Sequence, residues 1–350
     1  MEKKVKILGI EKMFCSICEE EHNVELIEEE REIKIKGKKV KHKEKMYRCN
    51  KYTKENTFET GEIWNENLIS SYDAYRQQNN LLTSKEIKQI RNKYKITQLE
   101  MAKLLGVGDV TVTRYETKQI QDEAHDKIMR LIDENALIAL EYLENNKEKF
   151  QKGERYEIIE NNIKTVIFKE TLSYLNIQEI EAKYVDYSEK NIENGNNELQ
   201  IKTVEAVINY ISKNYPNLYK VKLMKLLWYI DFISYKENEE SLTGLVYTHK
   251  KMGAVPIAYD ELLKLPSIKV EEEVMDKENY SVCYHILPNE NYKLKVNLTD
   301  KEKEICDRVI NKFKDFSTKE LVDYMHNEKA YIDTKPNEVI DFSYAKFAEI

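Results

Sequence analysis

Glycine and proline are scarce in this chain of 350 residues, at 9 and 5 copies. A collagen-like or low-complexity chain would carry far more of both, and 41% hydrophobic residues are enough for a sizeable core. No apolar run reaches the roughly 18 residues of a membrane-spanning helix. At roughly 100–200 residues per domain, the length predicts two or three domains. We therefore expect a globular, mostly helical protein.

Targeting signals and disulfides are also not expected. The first ten residues are charged and lack the apolar stretch of about 7–15 residues that marks a secretory signal, which predicts a cytoplasmic location. The chain has five cysteines, an odd number, and three of them cluster near the N-terminus. This distribution favours a metal site plus two isolated thiols over a disulfide framework. The cysteines are Cys15, Cys18, Cys49, Cys283 and Cys306.

The net charge of −7 conceals two basic segments. Residues 31–54 carry eleven Lys or Arg against two Glu, and residues 81–130 carry ten against seven acidic residues. Basic segments on an acidic protein indicate a nucleic-acid partner on one side and a different partner on the other. For residues 31–54 the alternative is a set of lysine-rich strands whose side chains are simply solvated.

Hydrophobic periodicity divides the chain into a short β-rich start and long helical regions. Residues 23–30, 31–35 and 39–47 alternate with period two, with Gly37 at a hairpin turn, and helical spacing begins after Trp64. The polar segment 188–197 is the best linker candidate. Within the second helical region, 242–256 and 280–298 have the composition of short strands. The predicted fold class is mainly α with small β elements (α+β).

Residues 95–116 have the spacing of a helix-turn-helix. If Gln98 begins the first helix, Ala102 lies where two helices cross closely, and Gly106 lies at the turn, where a positive φ costs glycine nothing. The second helix, at about 109–116, is then the recognition helix for the DNA major groove. The alternative is an amphipathic helix pair with no ligand. The residues expected in the core between the helices are Leu99, Leu105, Val107, Val112 and Tyr115.

The predicted DNA contacts follow from that placement. Arg114 can bond guanine O6 and N7 together, and Thr111 and Thr113 can contact phosphate or a thymine methyl group. Gln98 lies at a helix N-terminus, which favours a phosphate. The full set of predicted DNA-binding residues is Gln98, Asp109, Val110, Thr111, Thr113, Arg114 and Lys118.

Residues 81–121 resemble the Xre/Cro-type helix-turn-helix, and more closely the DNA-binding domain of MqsA-type antitoxins, which follows a small zinc-binding module. In that family an Asn and an Arg of the recognition helix read bases. The resemblance implies that Arg114 reads a base here. Val110 occupies the Asn position, which implies a different operator sequence.

Cys15 and Cys18 form a C-x-x-C knuckle with metal-ligand spacing, and Cys49 supplies a third thiol. A structural zinc site takes four ligands, and MqsA-type modules have C-x-x-C at both places, but the fourth position here is Tyr52, which is not a usual zinc ligand. Two alternatives remain open. Either His22 or His42 completes a Zn²⁺ site, or the module is held together by its strands without metal. In both cases the expected role is structural.

Three C-terminal segments are individually weak signals. Residues 221–235 have Leu223, Leu226, Leu227 and Ile230 at helical spacing, as in a buried core helix; LTGLVYTHKKMGAVP follows at 242–256, and a helix ending in His326 lies within 317–342. Together they resemble the Panacea domain, also called the SocA-like antitoxin domain, over about residues 201–350. Ala254 replaces the usual Pro of its GPVP-like turn. The resemblance implies a domain that neutralises a toxin protein and is often fused to a DNA-binding domain.

No enzymatic activity is expected, because the chain lacks HExxH, GxSxG, P-loop and GxGxxG motifs, and Asp323 and His326 have the spacing of an ordinary helix-surface contact. As toxin contacts we consider exposed members of the C-terminal helix and hairpin, with burial in the domain as the alternative for each. These residues are Trp228, Asp231, Tyr247, His249 and Lys250.

The predicted organisation is a zinc-ribbon-like β module (1–64), a five-helix-type helix-turn-helix domain (65–145), a helical connector and linker (146–197), and a mostly helical Panacea domain with a short β hairpin (198–350). The predicted function is an antitoxin that binds a cognate toxin and represses its own operon as a homodimer on double-stranded operator DNA, with no membrane partner. The alternative is a stand-alone phage or mobile-element repressor whose C-terminal domain senses a ligand or oligomerises.

Overall fold

A computed structural model of the protein describes residues 5–51, 56–150, 155–276 and 281–348. The chain forms two compact units, 1–170 and 171–350, which are described separately. Both combine helices with small antiparallel sheets, so the predicted α+β class with mostly helical content is confirmed. None of the described helices is long and apolar enough to cross a membrane.

The N-terminal unit begins with a four-stranded antiparallel sheet in the order β1-β2-β3-β4. Its strands are β1 (Lys6–Cys15), β2 (Glu20–Ile35), β3 (Lys38–Arg48) and β4 (Thr57–Phe58). Lys36 and Gly37 both have positive φ, as a tight two-residue hairpin turn requires, which confirms Gly37 as a turn residue. Residues 23–35 form one continuous strand rather than two, and β1 was not foreseen.

Strand pairing accounts for much of the positive charge in residues 31–54. Lys39, Lys41 and Lys43 on β3 form ion pairs with Glu32, Glu30 and Glu28 on β2, at 2.7, 3.3 and 3.3 Å. The described part of this module, residues 5–51, carries twelve Lys or Arg against ten Glu. Three lysines of the basic segment are therefore paired with glutamates across the hairpin, which reduces its excess of positive charge.

Within the part of this unit that the structure describes, seven α-helices follow or start: α1 (Gly61–Gln78), α2 (Ser84–Lys93), α3 (Gln98–Leu105), α4 (Thr111–Thr117), α5 (Glu123–Glu134), α6 (Ala136–Asn145) and α7 (Tyr156–Lys183). The starts of α2 and α3 are set by capping boxes, in which Thr83 and Thr97 exchange hydrogen bonds with Glu86 and Glu100. Fully buried apolar residues of α2 to α7, including Ile87, form one core.

The C-terminal unit is built around α9 (Lys220–Asn238), which is buried on nearly all sides between Leu223 and Ser234. The other helices are α8 (Ile201–Asn214), α10 (Tyr259–Leu262), α11 (Asp300–Phe313), α12 (Thr318–His326) and α13 (Lys329–Asp333). The strands β5 (Tyr247–Lys250), β6 (Gly253–Pro256) and β9 (Val339–Ile340) form a sheet in the order β6-β5-β9. The strands β7 (Ile268–Asp276) and β8 (Ser281–Pro288) form a separate hairpin.

The region 146–197, interpreted from sequence as connector and linker, packs into both cores. Ile159 and Ile163 of α7 belong to the N-terminal core, and Ile180 and Tyr184 belong to the C-terminal core. Asn194, within the polar segment 188–197, is fully buried, and its side chain bonds the backbone carbonyls of residues 187 and 189. A C-terminal fragment therefore needs Ile180, Tyr184 and Asn194 to keep its core complete.

Candidate metal centre and nucleic-acid interface

Four metal-ligating side chains converge at one end of the N-terminal sheet. Cys15 ends β1, Cys18 lies in the following turn, His22 lies on β2, and Cys49 follows β3. Their ligand atoms all lie within 4.8 Å of one another, and Cys49 Sγ is 3.5 Å from His22 Nε2. Three thiols and one imidazole in this arrangement are a donor set of the Cys₃His type, which suits tetrahedral zinc.

The geometry selects His22 over His42 as the fourth member of the group. His42 is buried further along β3 and does not belong to the cluster, and Tyr52 lies outside the described residues. Burial opposes ionisation of Cys15, but hydrogen bonds from the backbone of Cys18 and from His22 outweigh it and lower the pKa of the Cys15 thiol to about 6. A thiolate near neutral pH is the form that binds metal.

The turn of the helix-turn-helix has the geometry that the sequence predicted. Gly106 has φ +75°, and the N–H groups of Gly106 and Val107 bond the carbonyls of Lys103 and Ala102 at 3.1 and 3.0 Å, which is a Schellman motif. A Cβ at Gly106 would lie 2.7 Å from Oδ1 of Asn146, and the positive φ would strain any other residue at this position.

The core between the helices largely matches the prediction. Ala102 and Val112 are fully buried, Leu105 and Tyr115 nearly so, and Val107 packs against them half-buried. The prediction that Leu99 lies in this core is wrong, because Leu99 is 43% exposed. Fully buried Met101 fills the core instead.

The predicted DNA contacts divide into exposed and internally bonded residues. Asp109, Val110, Arg114 and Lys118 are exposed, and among the described residues Arg114 has no ion pair or hydrogen bond through its side chain. Thr111 is half-buried. The side chain of Gln98 is used within the fold, because it accepts from Thr113 Oγ1 at 2.9 Å and donates to Glu116 at 2.7 Å.

A buried carboxylate that sequence reasoning missed holds the recognition helix in place. Glu116 on α4 accepts hydrogen bonds from Arg91 on α2 (2.8 Å from Nε) and from Gln98 on α3. Glu116 therefore links both helices of the motif to α2, and the side chains of its ion pair with Arg91 are only 15% (Arg91) and 6% (Glu116) exposed. Partners 25 residues apart on separate helices leave no local sequence signal.

A second buried charge fixes the end of the recognition helix. Arg76 on α1 is 1% exposed, and its Nη2 donates to the carbonyls of Tyr115 (2.6 Å) and Gln119 (2.8 Å). Its Nε donates to Gln121 at 2.9 Å, and its Nη1 bonds Asp73 at 2.7 Å. A guanidinium at a helix C-terminus satisfies free carbonyls and complements the helix dipole.

In the C-terminal unit, the predicted helix and hairpin segments meet at a buried carboxylate. Asp231 on α9 is fully buried and accepts hydrogen bonds from the N–H of Thr243 (2.8 Å), the hydroxyl of Thr243 (2.5 Å) and the hydroxyl of Tyr247 (2.6 Å). Burial raises the pKa of Asp231 to about 6 despite these hydrogen bonds. Gly244 follows with φ +73°, and a Cβ there would clash with the backbone of Glu198 at 2.2 Å.

Six residues earlier on α9, a buried lysine bonds the second strand of the hairpin. Lys225 Nζ donates to the carbonyl of Ala254 at 2.8 Å, and burial lowers the pKa of Lys225 to about 7. A Cβ at Gly253 (φ +102°) would lie 2.8 Å from Lys225 Cε and 2.7 Å from Met325 Sδ. The Gly-Ala-Val-Pro segment therefore forms β6, packed between α9 and α12.

The five residues considered as toxin contacts fall into two groups. Trp228, Asp231 and Tyr247 are buried at 1%, 0% and 0% exposure, so for them the expectation of exposure fails and the burial alternative holds. His249 and Lys250 are half-buried at the end of β5. The His249 ring stacks on Tyr331 with centroids 3.8 Å apart, and Lys250 Nζ donates to Asn337 at 2.9 Å.

Comparison with known families agrees with both parts of this geometry. Residues 87–123 match the family model described as Helix-turn-helix, and residues 223–331 match the model described as Antitoxin SocA-like, Panacea domain. The search of curated proteins and the search of solved structures each gave no match. One polypeptide thus combines a region similar to helix-turn-helix domains with a region similar to SocA-like Panacea antitoxin domains, beside an N-terminal Cys/His cluster that fits a zinc-binding module.

Proposed function

We propose that this protein is an antitoxin that neutralises a cognate toxin through its C-terminal unit and represses its own operon through its helix-turn-helix. The observation that carries the proposal is the presence on one chain of a DNA-binding motif and an antitoxin domain. Neutralisation occurs by covering a surface of the toxin, without catalysis. If bound toxin changes the affinity of the protein for operator DNA, then by thermodynamic linkage bound operator DNA changes the affinity of the protein for the toxin by the same factor.

DNA recognition rests on the exposed side of α4. Arg114 reads a base edge in the major groove, and Lys118 at the end of the helix contacts a phosphate. Gln98 on α3 holds α4 in position, because its side chain accepts a hydrogen bond from Thr113 and donates one to Glu116. This assignment separates reading residues from positioning residues within one seven-residue helix. In keeping with two-fold operators, a homodimer would read half-sites about one helical turn apart.

In the C-terminal unit, the burial of Trp228, Asp231 and Tyr247 confines toxin contacts to other residues. His249 and Lys250 remain candidates because they lie half-exposed at the end of the β5–β6 hairpin. The buried residues then act as positioning residues, since Asp231 and Lys225 tie the hairpin to α9.

The N-terminal cluster is assigned to structural zinc. Cys15, Cys18, His22 and Cys49 would hold the ion, which cross-links β1, the turn after it, β2 and the end of β3. With four protein ligands the site is closed to substrate, so the ion contributes to folding and not to a reaction.

A growth-rescue assay tests the antitoxin assignment. The neighbouring open reading frame is expressed alone, with the full-length protein, and with residues 171–350, a fragment that retains Ile180 and Tyr184. We expect growth arrest in the first case and rescue in the other two. A harmless neighbour, or no rescue by the full-length protein, contradicts the assignment and favours the stand-alone repressor.

Operator binding tests the DNA-binding assignment. Arg114→Ala should cost about 1–3 kcal/mol of operator affinity and relax specificity at one base pair, whereas Lys118→Ala should weaken all sequences alike and reduce the salt dependence. Lys319→Ala, at an exposed position in the C-terminal unit, is the charge-matched control. Both α4 variants should still rescue growth in the assay above. Loss of rescue by a folded Arg114→Ala protein would contradict the division of labour.

A further inference from the structure

The two edges of the N-terminal sheet differ in how they are covered. Beyond β3 lie β4 and α1, where Asn67 bonds both the N–H and the C=O of Lys45, and Ser70 donates to the carbonyl of Lys43. At the opposite edge, β1 pairs only with β2 among the strands of the described residues. An uncovered edge strand presents backbone groups that pair readily with another strand.

The uncovered strand is also apolar. Ile7, Ile10 and Phe14 are 52%, 65% and 57% exposed. The register runs from Ile7 opposite Ile27 to Gly9 opposite Leu26, so Leu8 is the bulged residue. Because of that bulge, Ile7 and Ile10 lie on the same face of the sheet, and Lys6 and Glu11 lie together on the other.

We propose that β1 is a self-association surface, which pairs antiparallel with β1 of a second copy about a two-fold axis at Gly9, with the bulged Leu8 of each strand left out of the pairing. In this register Ile7 of each copy lies opposite Ile10 of the other, so four isoleucine side chains cluster on one face. On the other face, Lys6 of each copy lies opposite Glu11 of the other. The strand is therefore complementary to itself in hydrophobicity and charge.

Gly9 provides a separate observation for the position of the axis. A Cβ at this residue would meet nothing within 4 Å, and its φ is not in the left-handed region, so the single chain gives no steric reason for glycine. Glycine within a strand often marks close approach of another backbone. At the axis the two Gly9 residues face each other on the side of the sheet that carries Lys6 and Glu11, which leaves room there for the two backbones to approach.

The expected dimer is weak. Two paired strands bury less than the roughly 1,600 Å² of a standard stable interface, so we expect association in the micromolar range. This surface goes beyond the proposed DNA and toxin sites, and its existence depends on neither of them. The probe is the metal-loaded full-length protein alone, followed by sedimentation velocity over about 1–100 μM, a range chosen to bracket that affinity.

Charge-swap variants give a test specific to this register. In a dimer of Lys6→Glu, the new glutamate of each copy lies opposite Glu11 of the other, and in a dimer of Glu11→Lys the new lysine of each copy lies opposite Lys6 of the other. Each variant alone therefore places two pairs of like charges across the interface and should associate at least about tenfold more weakly than the wild type. An equimolar mixture of the two should recover association, because each copy then faces an opposite charge twice. Lys12→Glu is the matched control, since in this register Lys12 lies opposite Val5 and not opposite a charge.

Glu11 also accepts a hydrogen bond from the Tyr47 hydroxyl within one chain, so Glu11→Lys could weaken association through an effect on folding. A second variant, Ile10→Lys, avoids this problem. Ile10→Lys alters only an exposed side chain and should abolish association over the same range while leaving the thermal melt unchanged. The proposal is overturned if the wild type is monomeric throughout. It is equally overturned if Ile10→Lys still dimerises, or if mixing the two charge variants restores nothing.

Discussion

The buried carboxylate of Asp231 should make the stability of the C-terminal unit depend on pH in a direction opposite to that of most acidic residues. The pKa of Asp231 is about 6 in the folded unit, against a reference value of 3.8. The folded protein therefore holds this proton more tightly than the unfolded chain. The resulting stabilisation is complete below about pH 4 and is lost as the pH rises to about 6.

The magnitude follows from the shift. About two pKa units at 1.36 kcal/mol each correspond to roughly 3 kcal/mol of unfolding free energy between pH 4 and 7. Solvent does not screen this interaction, because the Asp231 side chain is fully buried, so the full free energy is expected. In Asp231→Asn the amide oxygen still accepts from the Thr243 N–H, and the amide group donates to the hydroxyls of Thr243 and Tyr247, so the contacts persist without the charge.

Urea denaturation at several pH values measures this effect. The chain has two tryptophans, Trp64 in the N-terminal unit and Trp228 in the C-terminal core, so a Trp64→Phe background leaves a single probe that reports the C-terminal unit. In that background, Asp231→Asn should gain about 3 kcal/mol relative to Asp231 as the pH rises from 4 to 7. Exposed Asp323→Asn is the control and should show no such gain. A pH-independent difference between Asp231 and Asn would refute the reasoning.

Three further predictions concern the other buried or ligating groups. His22→Ala should lower the zinc content of the purified protein, measured by elemental analysis, whereas His42→Ala should retain one ion per chain; equal metal content would contradict the assignment of His22. Glu116→Ala should lower the unfolding free energy of the N-terminal unit by about 3–5 kcal/mol, because Arg91 is left buried without its partner, and exposed Arg114→Ala should change it by less than about 0.5 kcal/mol. Because burial lowers the pKa of Lys225 to about 7, the wild type should gain about 2–3 kcal/mol of unfolding free energy between pH 7 and 9, as the folded protein releases this proton. Lys225→Met should not show this gain, and parallel pH profiles of the two proteins would contradict the prediction.

The helix-turn-helix was predictable because its determinants are local. The Thr97 cap, the small Ala102 and the left-handed Gly106 lie within ten positions, and each is required by backbone geometry. Met101 and Leu99 show the limit of that reasoning. Both are apolar and two residues apart in the first turns of α3, and only the packing against other helices decides that Met101 is buried and Leu99 is not.

Only the tertiary structure shows which histidine joins the cysteine cluster and which of the considered toxin contacts are buried. His22 and His42 are equally acceptable ligands from sequence, but the register that places His22 opposite Met13 also brings it to the cysteine end of the sheet. Strand β1 escaped detection because an edge strand that is exposed on both sides shows little alternation. Asp231 and Tyr247 look like surface residues in isolation, and only the meeting of α9 with the 243–247 segment shows that they satisfy each other's hydrogen bonds.

The two buried charges of the C-terminal core argue for a positioning role when they are considered together. Stability falls as Asp231 ionises up to about pH 6 and rises as Lys225 loses its proton above about pH 7. Their combined cost is therefore greatest near neutral pH, so the pair does not serve to stabilise the unit there. Asp231 instead ties the start of β5 to α9 through Tyr247, and Lys225, six residues earlier on the same helix, ties β6 to it through Ala254. We infer that the two groups serve to fix one arrangement of the chain, here the placement of the hairpin that carries His249 and Lys250.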